Sequence, residues 1–193
     1  MLTKYKVIFG GSFDPPHSGH QAISSWLVDS LDADEVIVCP TYEHCFGKKM
    51  ESFHHRYNMC QEMMQSLPKR VYVDAIEEHM PKPNMTKNLL KHYKNSGVNK
   101  LAVVIGADNL NQIHKWNGWD EVVQLAKVIA IGRPGYELKD SYPFDVEVYP
   151  VGISTISSTE IRQRILEGKS LDGFVPYHVN TYIKENGLYQ CQK

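Results

Sequence analysis

The sequence predicts an α/β fold, a parallel sheet with helices on both faces and further helices at the C-terminal end. Two observations carry that expectation. Short apolar runs alternate with amphipathic stretches along the chain, the pattern of repeated strand–helix units. One run, Leu101-Ala102-Val103-Val104-Ile105, is apolar throughout and ends at Gly106, as a central strand buried on both faces should be.

The elements follow in order. Val7-Ile8-Phe9 reads as a first strand ending at Gly10-Gly11, and Gly19 to about Leu31 as a helix with Ala22, Ile23, Trp26, Leu27 and Leu31 on one face. Val36-Ile37-Val38 is a second strand stopped by Pro40, Arg56 to Leu67 a helix, and Val71-Tyr72-Val73 a third strand. Thr86 to Lys94 reads as a helix closed by Gly97, and Leu101–Ile105 as the central strand. Trp119 to Ala126 is helical, Val128–Ile131 a strand, and Val146–Val151 a weaker one. Two helices finish the chain, Ser158 to Leu166 and Pro176 to Glu185. This layout is Rossmann-like, and in such sheets ligands bind beyond the carboxyl ends of the strands, near the switch in strand order. The candidate site is therefore formed by residues that follow Phe9, Val38, Ile105 and Val151.

A chain of 193 residues holds one domain with a core and would be crowded as two. It has no internal repeat, low-complexity tract or linker, so residues 1–193 read as a single domain. Lys and Arg number 21 against 22 Asp and Glu, for a net charge of −1, which argues against a general nucleic-acid binder. The apolar runs are too short to span a bilayer. Met1–Lys6 has no signal-peptide apolar region, so the expected compartment is the cytoplasm. The four cysteines, Cys39, Cys45, Cys60 and Cys191, form no paired framework, which suits a reducing compartment. Cys39, His44, Cys45, His54, His55 and Cys60 match no zinc-site spacing, and no metal-ligating set is expected. A homo-oligomer is left open.

Two segments carry chemistry. The first is Gly10-Gly11-Ser12-Phe13-Asp14-Pro15-Pro16-His17-Ser18-Gly19-His20. Its glycines allow a tight turn and close backbone approach to a ligand. The prolines keep the loop out of helix. His17 and His20, three residues apart at a helix start, project to one side, where backbone N–H groups also attract phosphate. The second is Ile156-Ser157-Ser158-Thr159-Glu160-Ile161-Arg162. Ser157 and Glu160 have capping-box spacing, which puts Ser158 and Thr159 at a positive helix end with Arg162 about one turn on. Hydroxyls, amides and a guanidinium together make a polyphosphate cradle. Taken singly, each segment could be an ordinary turn or a capped surface helix.

Together they resemble the nucleotidyltransferase superfamily, whose His-x-Gly-His and Ser/Thr-x-x-Arg signatures bracket ATP. Ile105-Gly106-Ala107-Asp108-Asn109, Trp116 to Trp119, Gly132-Arg133-Pro134-Gly135 and Val175-Pro176-Tyr177 through Asn186-Gly187-Leu188-Tyr189 narrow the resemblance to nicotinate/nicotinamide-nucleotide adenylyltransferases. It covers nearly the whole chain in matching order.

The resemblance implies a single nucleotidyltransferase domain that joins ATP to nicotinate or nicotinamide mononucleotide, giving deamido-NAD or NAD and pyrophosphate. Gly11, Ser12 and Phe13 would lie against the nucleotide through their backbone. His17, His20, Ser158, Thr159 and Arg162 would hold ATP phosphates, and Gly106 and Asp108 would meet the adenosine. Trp116 would stack on the pyridine ring, Met85 and Thr86 would line its pocket, and Arg133 would approach a phosphate. Lys48, in a His-x-Phe-Gly-Lys form rather than the Pro-His-Lys of many bacterial nicotinate enzymes, would add a cation. That form and Met85, where an aromatic residue often precedes the threonine, leave the preferred mononucleotide open. The expected chemistry is direct transfer without a covalent intermediate, with charge supplied by His17, His20, Lys48 and Arg162, and with Mg²⁺ held mainly by ATP and water. The alternatives are a related small-substrate enzyme, such as a phosphopantetheine adenylyltransferase, and a non-catalytic nucleotide sensor. A class I tRNA-synthetase fragment is disfavoured, since the chain has no basic tract.

Overall fold

A computed structural model describes residues 4–31, 33–43, 47–132, 141–149 and 155–190, with the backbone alone at Asp108. Its strands are β1 (Tyr5–Gly11), β2 (Ala33–Pro40), β3 (Val71–Val73), β4 (Leu101–Gly106), β5 (Lys127–Ile131) and β6 (Val146–Tyr149). They form one sheet in the order β3-β2-β1-β4-β5-β6, and every neighbouring pair is parallel. The chain works outward from β1 to one edge, then returns to β4 on the other side. The switch in strand order therefore falls between β1 and β4, the place where ligands bind beyond the carboxyl ends in sheets of this kind.

The helices are α1 (Ser18–Ser30), α2 (Phe53–Met64), α3 (Thr86–Asn95), α4 (Ala107–Leu110), α5 (Trp119–Leu125), α6 (Ser158–Leu166) and α7 (Tyr177–Glu185). Period-two alternation sends each central strand's side chains to two faces. Val7, Phe9, Val36, Val38, Ala102 and Val104 share one buried cluster with Leu27 and Val28 of α1. Ile8, Ile37, Val103 and Ile105 share the other with Leu89 and Leu90 of α3 and Val122 of α5. A third cluster joins Met59 and Met63 of α2 to Ile161 of α6 and to Val179 and Ile183 of α7. This last cluster holds the C-terminal helices beside the site.

Several boundaries differ from the sequence-based expectation for identifiable reasons. Helix α2 begins at Phe53 rather than Arg56, because the Ser52 hydroxyl accepts the His55 N–H at 3.3 Å and caps it. It ends before Leu67, the residue ahead of Pro68, where helical geometry is disfavoured. Three short turns escaped the periodicity, namely α4 and the 3₁₀ turns Ile76–His79 and Ile113–Lys115. Each is too short to show a helical repeat. The end of the expected strand at Val151 lies outside the described residues.

Candidate active site

The loop leaving β1 is shaped by a buried ring. Phe13 has φ 47, a left-handed conformation that costs a non-glycine residue about 1–2 kcal/mol. The residue is 1% exposed. Its ring meets Phe9 edge-on at 5.5 Å and His20 at 4.8 Å. A Cβ at Gly11 would come within 3.2 Å of that ring, so glycine there gives Phe13 room to tuck under the loop.

His17 is the N-cap of α1. The His20 N–H donates to His17 Nδ1 at 3.4 Å and the His17 N–H donates to His20 Nδ1 at 3.1 Å, a reciprocal capping box built from two imidazoles. The rings stack with centroids 3.6 Å apart. Because both Nδ1 atoms accept backbone hydrogens, the neutral rings carry their protons on Nε2, and each presents Nε2–H as its donor. The amides at the α1 start are less available than the sequence suggests. Ser18 N–H donates to Phe174 O at 2.9 Å and His20 N–H to His17. The capacity of this helix end to meet an anion therefore rests on the rings more than on those amides.

The far end of the chain closes over this loop. Ser157 caps α6, accepting the Glu160 N–H at 3.1 Å. The Ser158 hydroxyl donates to Pro15 O at 2.9 Å, which leaves its backbone N–H at the positive end of α6. Arg162 donates from Nη1 to Asp14 O at 2.6 Å and from Nη2 to the Thr159 hydroxyl at 3.3 Å. The Asp14 carboxylate, 2% exposed as a residue, lies 3.7 Å from Arg162 and accepts the Tyr189 hydroxyl at 2.9 Å and the Glu51 N–H at 3.2 Å. Residues more than a hundred positions apart thus share one edge of the sheet.

The other expected residues distribute around that edge. Register pairs Phe9 with Val104, so Gly11 and Gly106 leave the sheet side by side at the switch point, and Gly106 is the N-cap of α4. Met85 and Thr86 begin α3, where no side chain caps the helix. Lys87 of that first turn pairs with Glu121 of α5 at 2.9 Å, which brings the α3 start beside the Trp116–Trp119 segment. Trp116 is half-buried against the core under β4. Lys48 is exposed on a groove of about 450 Å³ that it lines with Tyr42, Glu51, Phe53 and Arg56. Arg133, His44 and Phe46, and the side chain of Asp108, lie outside the described residues.

Arg56, Glu77 and Asn84, all buried, had no place in the sequence-based site. Arg56 donates to Glu51 O at 2.9 Å, Ser12 O at 2.8 Å and Tyr42 O at 3.4 Å, so one guanidinium ties both ends of the β2–α2 connection to the β1–α1 loop. Glu77 accepts the Tyr42 N–H at 2.9 Å, while Asn84 donates to Glu77 O at 2.8 Å and accepts the Glu43 N–H at 3.2 Å. Burial pushes the Glu77 carboxyl up to about 7, against the opposing pull of the Tyr42 N–H and the Arg56 charge. Between its ordinary value of 4.5 and about 7 the folded protein keeps a proton that the unfolded chain has released. Stability contributed at this position is therefore expected to fall as pH rises through that window. Thermal melts of Glu77→Gln over the same range should show a shallower decline than wild type, and equal slopes would contradict the assignment.

The Cys39 and Cys60 thiols are buried and pushed above their usual range by desolvation. No group of three or more His, Cys, Asp or Glu residues suited to a metal occurs among the described residues. No helix among them is long and apolar enough to cross a membrane.

A cytidylyltransferase-like family model matches residues 8–164. A probable nicotinate-nucleotide adenylyltransferase of Anaeromyxobacter sp. (strain K) is 35% identical over 188 residues, covering 95% of this chain and 96% of the relative. The nicotinate-nucleotide adenylyltransferase of Bacillus subtilis (strain 168) is 32% identical over 189 residues, covering 95% and 97%. Among solved structures, the Plasmodium falciparum nicotinic acid mononucleotide adenylyltransferase complexed with NaAD superposes with a TM-score of 0.84 at 24% identity, covering 97% of this chain and 98% of that one.

Proposed function

The chain belongs to the cytidylyltransferase-like family and, within it, to the nicotinate-nucleotide adenylyltransferases, and from that premise we infer that it transfers the adenylyl group of ATP to a pyridine mononucleotide. The observation that carries the chemistry is the contact of Ser158 and Arg162 with Pro15 and Asp14, next to the stacked His17 and His20. A triphosphate on that edge would meet imidazole Nε2–H groups from one side and the α6 end with its guanidinium from the other. The mononucleotide 5′-phosphate oxygen forms a bond to the α-phosphorus as the bond to the β-phosphate bridging oxygen breaks, and pyrophosphate leaves with that electron pair. The attacking phosphate is already anionic, so no activated side-chain nucleophile is needed. The protein's task is alignment and charge neutralisation. Site roles for His17, His20, Lys48, Arg162, Ser158, Thr159, Gly11, Ser12, Phe13, Gly106 and Asp108 belong to this proposal, as do Met85, Thr86, Trp116 and Arg133 on the pyridine side.

Mg²⁺ enters the same proposal as the counterion of ATP: it would be carried by the nucleotide and would offset the negative charge of the phosphates beside His17, His20 and Arg162. Among the described residues this edge has no group of three or more His, Cys, Asp or Glu suited to a metal, which suits a metal carried by the nucleotide. We place the reaction in the cytoplasm.

The preferred mononucleotide is assigned as nicotinate. The relatives carry that name, and the uncapped start of α3 offers a positive helix end that a ring carboxylate uses better than a carboxamide. The difference between a charge-assisted and a neutral hydrogen bond, about 1–1.5 kcal/mol, predicts a kcat/KM ratio of roughly 5–13 in favour of the nicotinate nucleotide. Pyrophosphate release with each mononucleotide measures that ratio. A ratio at or below one overturns the base assignment, and no release with either overturns the activity.

A further inference from the structure

We propose that Glu77 is a positioning residue for the transfer reaction, holding the connection after β2 through the Tyr42 N–H so that Lys48 and the groove wall face the phosphates. The proposal rests on the adenylyl-transfer assignment and adds a control point to it.

The connection leaves the sheet at Pro40, on the edge where the site lies, and its first residues have few backbone partners within the sheet. Thr41 N–H donates to Gly11 O at 2.8 Å. Beyond it, two buried side chains take the next amides in turn, Glu77 that of Tyr42 and Asn84 that of Glu43. Asn84 also donates to the Glu77 carbonyl, so the two clamps brace each other. On the other side the Tyr42 carbonyl is held by Arg56. The Tyr42 ring packs against Phe53 at 4.9 Å and beneath Lys82 Nζ at 4.3 Å, and it lines the same groove as Lys48.

The clamp can change state. An ionised carboxylate is a strong acceptor for the Tyr42 N–H, and a protonated one is weaker. Among the described residues, the charged and titratable groups coupled to Glu77 are Arg56 from α2 and the Cys39 thiol from β2, while Glu78 and His79 on its own turn are exposed. Arg56 stays charged, and the Cys39 thiol is held above its usual range by burial. Glu77 is therefore the member of this group placed to titrate near neutrality, and burial raises it to about 7. Acidification would loosen the connection.

Two readouts on the full chain test this. In wild type, the ¹⁵N-resolved amide of Tyr42 is expected to titrate with a midpoint near 7, and kcat/KM to show an acidic limb that follows it. Glu77→Gln keeps an oxygen for the Tyr42 N–H but cannot titrate. It should retain turnover at pH 8, abolish the amide titration and lose that limb. Glu77→Ala, which removes the acceptor, should lower kcat/KM on the order of 10–100-fold at pH 8, and Gln should rescue it where a purely volumetric role would not. A flat Tyr42 titration, or an acidic limb that survives in Glu77→Gln, overturns the proposal. A wild type inactive with both mononucleotides would sink the transferase assignment, while the amide titration would still judge the clamp.

Discussion

Replacing His20 by alanine is expected to lower kcat about 10²–10³-fold, the usual effect of deleting one preorganised donor aimed at developing charge, with the KM for ATP nearly unchanged. The physical reason is the Nε2–H donor fixed by the His17–His20 capping box. It is held before substrate arrives, so none of its alignment is lost at the moment of transfer. Charge grows on the leaving pyrophosphate only as the bond breaks, and a contact made chiefly then appears in kcat. His20→Ala also removes the acceptor for the His17 N–H, a capping loss of about 1 kcal/mol. His20→Asn, which can accept that hydrogen but lacks the Nε2–H, should restore much of the melting temperature and none of the turnover. Steady-state kinetics with thermal melts decide it. A rise in KM that accounts for the whole loss would make His20 a binding group only.

Arg56→Ala should destabilise the protein by about 3–5 kcal/mol, the range for removing one partner of a buried charged arrangement. The residue is 1% exposed, and its donors serve the carbonyls of Ser12, Tyr42 and Glu51. Its charge also faces Asp14 and Glu77. Without it three loop carbonyls lose a partner, Glu77 loses the cation that faces it, and Asp14 is left with Arg162 at 3.7 Å. Lysine keeps the charge but not the planar fork, so Arg56→Lys should lie between alanine and wild type in stability and still lose activity through loosened loops. Urea denaturation gives the free energies. A loss below about 1 kcal/mol for alanine, within the range of ordinary surface changes, would show that the loops do not depend on this hub.

The sheet was legible because its strands are apolar runs of the right length, and β4 announced itself as central by having no polar residue from Leu101 to Ile105. The α6 start was legible from the spacing of Ser157 and Glu160. The histidine cap was not, since imidazole is not among the side chains usually chosen at that position. Nor were Asp14, Glu77 and Asn84, whose partners are groups far away in sequence with no periodicity to point at them. Arg56 did leave a trace. It precedes Met59, Cys60 and Met63 at helical spacing, all buried on one face of α2, and an arginine within an apolar stripe must satisfy its donors inside the fold. The meeting of the chain's two ends came from the resemblance and from the sheet-edge rule for ligand sites, rather than from any local feature of either segment.

The central claim is that the His17–His20 pair and Arg162 grip one triphosphate. Titrating ¹⁵N-labelled protein with a non-hydrolysable ATP analogue, while following the imidazole nitrogens of both histidines and the Arg162 Nε resonance, tests it directly. All three should shift and saturate with a single dissociation constant. Shifts confined to one end of the chain, or two separate constants, would contradict it.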